Sequence, residues 1–130
     1  MNTWFCSVVA KGSLTSVPQN TEAVINQTVR LPCSTSEPYL VNWEHVRCGA
    51  SRKEFVYFGG GFAPSYDSRF RIITDEAFGQ FDLEITSVRL EDSGRYRCID
   101  REGQGERREA ELIVLGEFEI NALACKGEAR

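Results

Sequence analysis

LEDSGRYRC, residues 90–98, carries an acid, a glycine, a tyrosine and a cysteine at two-residue intervals: Asp92, Gly94, Tyr96 and Cys98. In a strand, residues two apart share a face, so Tyr96 and Cys98 point inward together. A buried tyrosine needs a partner for its hydroxyl, and the turn just upstream offers backbone groups. Gly94 permits the close approach or positive φ that such a corner demands. Residues 88–94 form the one stretch that reads as a helical turn, with Ser87 or Glu91-Asp92 placed to hold its N-terminal amides.

Outward from this stretch, the chain reads as short alternating strands separated by turn clusters, with no long helical period. TVRLPCS (28–34) sets Val29, Leu31 and Cys33 on one face, and LVNWEHV (40–46) does the same with Val41, Trp43 and His45. EFVYF (54–58) is aromatic and β-branched and stops at Gly59-Gly60-Gly61. RFRIIT (69–74), FDLEI (81–85), GRYRCID (94–100) and EAELIVL (109–115) follow, the last two flanking the charged turn REGQGE. Upstream, SVPQNTEAVIN (16–26) has an edge-strand character, because Pro18 cannot donate a ladder hydrogen bond and belongs at an edge or kink. Eight or nine such strands predict an all-β antiparallel sandwich or barrel.

The 130 residues suffice for one domain with a core, and 42% apolar and 26% charged residues are ordinary for a globular protein. A net charge of −4 argues against a nucleic-acid binder, since phosphate contacts need a basic surface. No apolar run reaches the roughly 20 residues of a membrane helix. The opening MNTWFCSVVAKG has no basic residues ahead of its short apolar piece, so it does not read as a secretory signal. Five cysteines, Cys6, Cys33, Cys48, Cys98 and Cys125, with no Cys-x-x-Cys and a single histidine, His45, point to disulfides in an oxidising compartment rather than to zinc. Asn26-Gln27-Thr28 is a glycosylation sequon, consistent with secretion.

The set Cys33…Trp43…Leu90-x-Asp92-x-Gly94-x-Tyr96-x-Cys98 resembles the immunoglobulin superfamily, specifically its variable-type (V-set) domains, over about residues 16–115. The resemblance implies a two-sheet Greek-key β-sandwich, with residues 1–15 as an N-terminal extension and 116–130 as a tail or the start of a linker or next domain. It further implies a Cys33–Cys98 disulfide, Trp43 packed on that bridge, and Leu90 in the core beneath a tyrosine corner at Tyr96. Arg69 is expected to pair with Asp92. A bridge across 65 residues stabilises by roughly 4 kcal/mol on chain-entropy grounds. The 65-residue separation and the long YFGGGFAPSYDSRF segment favour the variable over the shorter sets. EGQGE (102–106) lacks the Phe of an antigen-receptor joining segment, so its glycines read as a hairpin turn.

Strand order places Cys48 at the end where the last strand finishes. The expected second bridge is therefore Cys48–Cys125, leaving Cys6 free or intermolecular; Cys6 pairing with Cys48 or Cys125 stays open. No catalytic constellation stands out: His45 occupies an inward position, and Glu106, Glu109, Glu111 and Glu117 read as a solvated face. A non-enzyme without cofactor or metal is expected.

The resemblance places function on the end loops and on the outer face of strands G, F, C and C′ (109–115, 94–100, 40–46 and 54–58). With Trp43 and Cys98 inward, that face shows Asn42, Glu44, Val46, Arg97, Ile99, Glu111 and Ile113, with Phe55 or Tyr57, while the loops add Phe62, Tyr66 and Arg101. The implied function is extracellular recognition, at a cell surface or secreted, of another surface protein or of a second copy as a homodimer. A carbohydrate-binding innate module and a structural spacer remain open alternatives.

Overall fold

The computed structural model describes residues 13–37, 40–66, 68–101 and 105–116. Eleven strands and one 3-10 turn make up the described residues. They are β1 (Leu14–Ser16), β2 (Thr21–Val24), β3 (Val29–Leu31), β4 (Ser34–Thr35), β5 (Val41–Arg47) and β6 (Lys53–Phe58), then β7 (Gly61–Phe62), β8 (Phe70–Ile73), β9 (Asp82–Ile85), β10 (Gly94–Asp100) and β11 (Arg107–Leu115). One layer is a six-stranded sheet in the order β2-β11-β10-β5-β6-β7. The other comprises β3-β9-β8, with the two-stranded β1-β4 pair continuing from the end of β3. Pro18 lies between β1 and β2, where the chain leaves one sheet and joins the other parallel to β11. A residue without a backbone donor is tolerated at such a crossing. β1 starts at Leu14, inside the segment expected to be an extension.

Period-two alternation builds the core. Leu31, Cys33, Val41, Trp43, Val56, Leu83, Ile85, Tyr96, Cys98 and Leu112 have essentially no exposure. Cys33 and Cys98 are disulfide-bonded with Cα atoms 6.5 Å apart. Trp43 is in register with Cys98, and its indole N–H donates to the Phe81 carbonyl at 2.9 Å. The indole is thus buried without an orphaned donor. Cys48 is also disulfide-bonded. The expected pairing with Cys125, and the state of Cys6, fall outside the described residues.

The corner that opens β10 is built around Asp92, whose carbonyl and carboxylate both accept hydrogen bonds. Tyr96 donates its hydroxyl proton to the Asp92 carbonyl at 2.5 Å. Arg69 grips the Asp92 carboxylate with two N–H groups, at 2.8 and 3.0 Å, and the Arg89 amide donates to the same carboxylate at 2.8 Å. Gly94 has φ +138°, and a Cβ there would lie 2.2 Å from the Val46 carbonyl oxygen. Only glycine lets the two strands close at that point.

Leu90 corrects the reading of this motif. It is 43% exposed, whereas Val88 is fully buried and fills the core beneath the turn. The 3-10 turn Leu90–Asp92 interrupts the strand period and turns Leu90 to solvent. Ser87 does not hold the amides of this turn; that role falls to Asp92.

Candidate recognition surface

Strand register lays three rows of side chains across the outer face of the six-stranded sheet. In the lowest row Arg95 lies between Val46 on β5 and Glu111 on β11, and Val46 opposes Lys53 on β6. In the middle row Arg97 lies between Glu44 and Glu109, and Glu44 opposes Phe55. In the top row, next to the loops, Ile99 lies between Asn42 and Arg107.

Ion pairs tie the lower two rows into a lattice. Lys53 meets Glu44 at 3.2 Å, Arg97 meets Glu44 at 3.5 Å and Glu109 at 3.3 Å, and Arg95 meets Glu109 at 3.5 Å. Two cations cover Glu44, which is only 4% exposed although it points to the outer side. Asn42 is buried as well, its side-chain oxygen accepting from the Gly59 amide at 3.4 Å. These two residues support the face from below; they are not offered to solvent as the alternation suggested.

An aromatic pair stands at the β6 side. Phe55 and Phe58 are 42% and 52% exposed, with ring centres 4.6 Å apart. Lys53 lies over Phe55 at 5.8 Å and Arg101 over Phe58 at 6.0 Å. Gly59 and Gly60, both at positive φ, make the two-residue turn into β7 that leaves Phe58 at the strand end. Phe58 escaped the sequence reading, although its position directly before the glycines marked it.

Several other expected contact residues lie elsewhere. Tyr57 and Phe62 pair at 5.0 Å and pack against the core cluster. Tyr66 is buried, contrary to the exposed loop anchor expected of it. Its hydroxyl donates to Glu54 at 2.8 Å and lies 2.9 Å from His45 Nδ1, and this polar pair draws the ring inward. Val46, Arg97, Ile99, Glu111 and Ile113 are half-buried on the outer face, and Arg101 is exposed.

A family model for the immunoglobulin V-set domain matches residues 16–115. The chain belongs to the immunoglobulin V-set family. No curated protein matches it significantly. V-set domains are in general non-enzymatic modules that mediate protein–protein contact, and a V-set fold closed by a disulfide is that of an extracellular domain. Among the described residues no helix is long and apolar enough to cross a membrane.

Among the buried polar residues of this V-set domain is its histidine. His45 is fully buried and stacked on Tyr96 at 4.0 Å between ring centres. Its Nε2 lies 3.0 Å from the Ser93 carbonyl, an obligate acceptor, so Nε2 carries the proton. Burial is the main cause that lowers its pKa to about 4. The imidazole is therefore neutral at physiological pH and fastens β5 to the corner.

Proposed function

We propose that this V-set domain is the recognition module of a cell-surface or secreted receptor, binding a protein partner through the outer face of β11, β10, β5 and β6 (G, F, C and C′ in V-set lettering) and the adjoining β10–β11 loop. The Phe55–Phe58 pair carries this reading. Two large exposed rings side by side, flanked by cations, are the residue types that anchor protein interfaces. Lys53, Arg95 and Arg97 are already held by Glu44 and Glu109 beside these rings, which limits the side-chain entropy lost on binding. Asn26, exposed in the turn after β2, is the proposed glycan acceptor.

The test displays the domain as a multimer against a panel of defined cell-surface proteins. Phe55→Ser and Phe58→Ser should each remove most of the binding to any partner found. Phe78→Ser, at an exposed aromatic between β8 and β9, should leave it intact. The opposite pattern would move the recognition site off this face.

A further inference from the structure

The ion-pair lattice leaves two arginines over. Lys53, Arg95 and Arg97 are matched to Glu44 and Glu109, and Arg108 to Glu106 at 2.7 Å. Arg101 and Arg107 have no carboxylate partner among the described residues, and both stand at the loop end of the face. Arg107 flanks Ile99 and borders an open depression of about 380 Å³ that it shares with Arg97, Arg108 and Glu109. Arg101 lies over the exposed ring of Phe58. A cation–π contact of this kind engages none of the five N–H donors of a guanidinium, which remain available to an acceptor.

From this arrangement we infer that the partner is an acidic protein segment, presenting carboxylates to Arg101 and Arg107 and an apolar side chain to Phe55 and Phe58. The inference rests on the recognition reading above and narrows it. Charge complementarity favours such a partner over a second copy of the chain. The one carboxylate of the three rows outside the lattice is Glu111, so a second copy would bring a single acid, together with two more unmatched arginines. Two arginines without a carboxylate partner among the described residues are also not what the overall net charge of −4 leads one to expect.

The probe is a synthetic peptide, Glu-Glu-Phe-Glu-Glu, titrated into the whole isotope-labelled domain, with Gln-Gln-Phe-Gln-Gln as its neutral counterpart. The acidic peptide should shift the side-chain N–H signals of Arg101 and Arg107 saturably, and the neutral one should not. Each of Arg101→Gln and Arg107→Gln should weaken binding about tenfold, the scale of one hydrogen bond to a charged group. Raised salt should weaken wild-type binding and leave the double variant unchanged. Both arginines are on the surface, and near-UV circular dichroism checks that the variants fold. Equal response to the two peptides, or shifts centred on Arg30 and Arg71 of the other sheet, overturns the inference. So does a sedimentation dimer that Arg107→Gln dissociates, which would make the occupant a second copy. If Phe55→Ser and Phe58→Ser abolish binding to a panel protein while both arginine variants keep it, the inference falls and the recognition reading stands. If none of these changes matters, both fall.

Discussion

His45 should make the domain acid-sensitive in a defined window. Two effects compete at its ring. Tyr66 has one hydroxyl proton and gives it to Glu54, so Nδ1 faces an oxygen that could accept a proton from an imidazolium. Glu54 and Asp92 also favour the charged ring, whereas Arg47 opposes it. Burial outweighs these and places the folded pKa about 4, against 6.5 for an ordinary histidine. The unfolded chain therefore takes up a proton before the folded one does. The His45 contribution is fully present above pH 6.5, falls as pH drops towards 4, and is gone below it. At 1.36 kcal/mol per pKa unit, that loss is roughly 3 kcal/mol. His45 is the chain's one histidine, so a single imidazole signal in a proton–carbon correlation spectrum reports it without ambiguity. The expected midpoint is near pH 4 in the folded domain and near 6.5 in urea. Denaturation at pH 7 and pH 4 should show the stability loss in the wild type, and His45→Gln should flatten its histidine component. A folded midpoint at or above pH 6 would mean that the Tyr66–Glu54 acceptors dominate burial, and would refute the reasoning.

Gly94→Ala should destabilise by about 3 kcal/mol, combining backbone strain with a Cβ placed 2.2 Å from Val46 O and 2.8 Å from His45 Nε2. Gly105→Ala, also at positive φ but with nothing within 4 Å of its Cβ, should cost about 1 kcal/mol, and equal losses in urea denaturation would contradict this account. Val88→Ala should cost about 2 kcal/mol by cavity formation, while Leu90→Ala stays within about 0.5 kcal/mol, as thermal melts would show. Expressed through a secretory pathway, the domain should carry one glycan on Asn26. Endoglycosidase treatment should raise its gel mobility, and Asn26→Gln should abolish the change.

The fold was legible because its decisive positions obey a local period. Cys33, Trp43, Tyr96 and Cys98 each face inward by alternation alone, and all four are fully buried. Where a turn interrupts the period, alternation misleads. Counting back by twos from Cys98 assigns Leu90 to the core, but the 3-10 turn rotates the chain. Val88 then takes the interior place, held by backbone bonds to Asn26 and Gln27 across the sandwich. Tyr66 shows a second limit. Its glycine-rich surroundings imply exposure, yet its two partners, Glu54 and His45, lie 12 and 21 residues away in sequence. No local signal records that they converge.

The recognition face separates direction from cover. Alternation places Asn42, Glu44, Arg97 and Ile99 on the outer side. It does not say that Lys53 and Arg97 close over Glu44, because that depends on the register between three strands far apart in the chain. A slip of one residue between β10 and β11 would turn the side chains of the shifted strand to the other face of the sheet and dissolve the lattice. The two unmatched arginines are a consequence of that same register. Arg95 and Arg97 meet acids because Glu44 and Glu109 stand opposite or diagonal to them, whereas Arg107 meets Ile99 and Arg101 meets Phe58. The composition of the β10–β11 hairpin, rich in both arginine and glutamate, suggests a neutral surface. Among the described residues, geometry sorts those charges into an ion-paired lower field and an upper edge where Arg101 and Arg107 stand without a carboxylate, and a partner would sense that separation rather than the total.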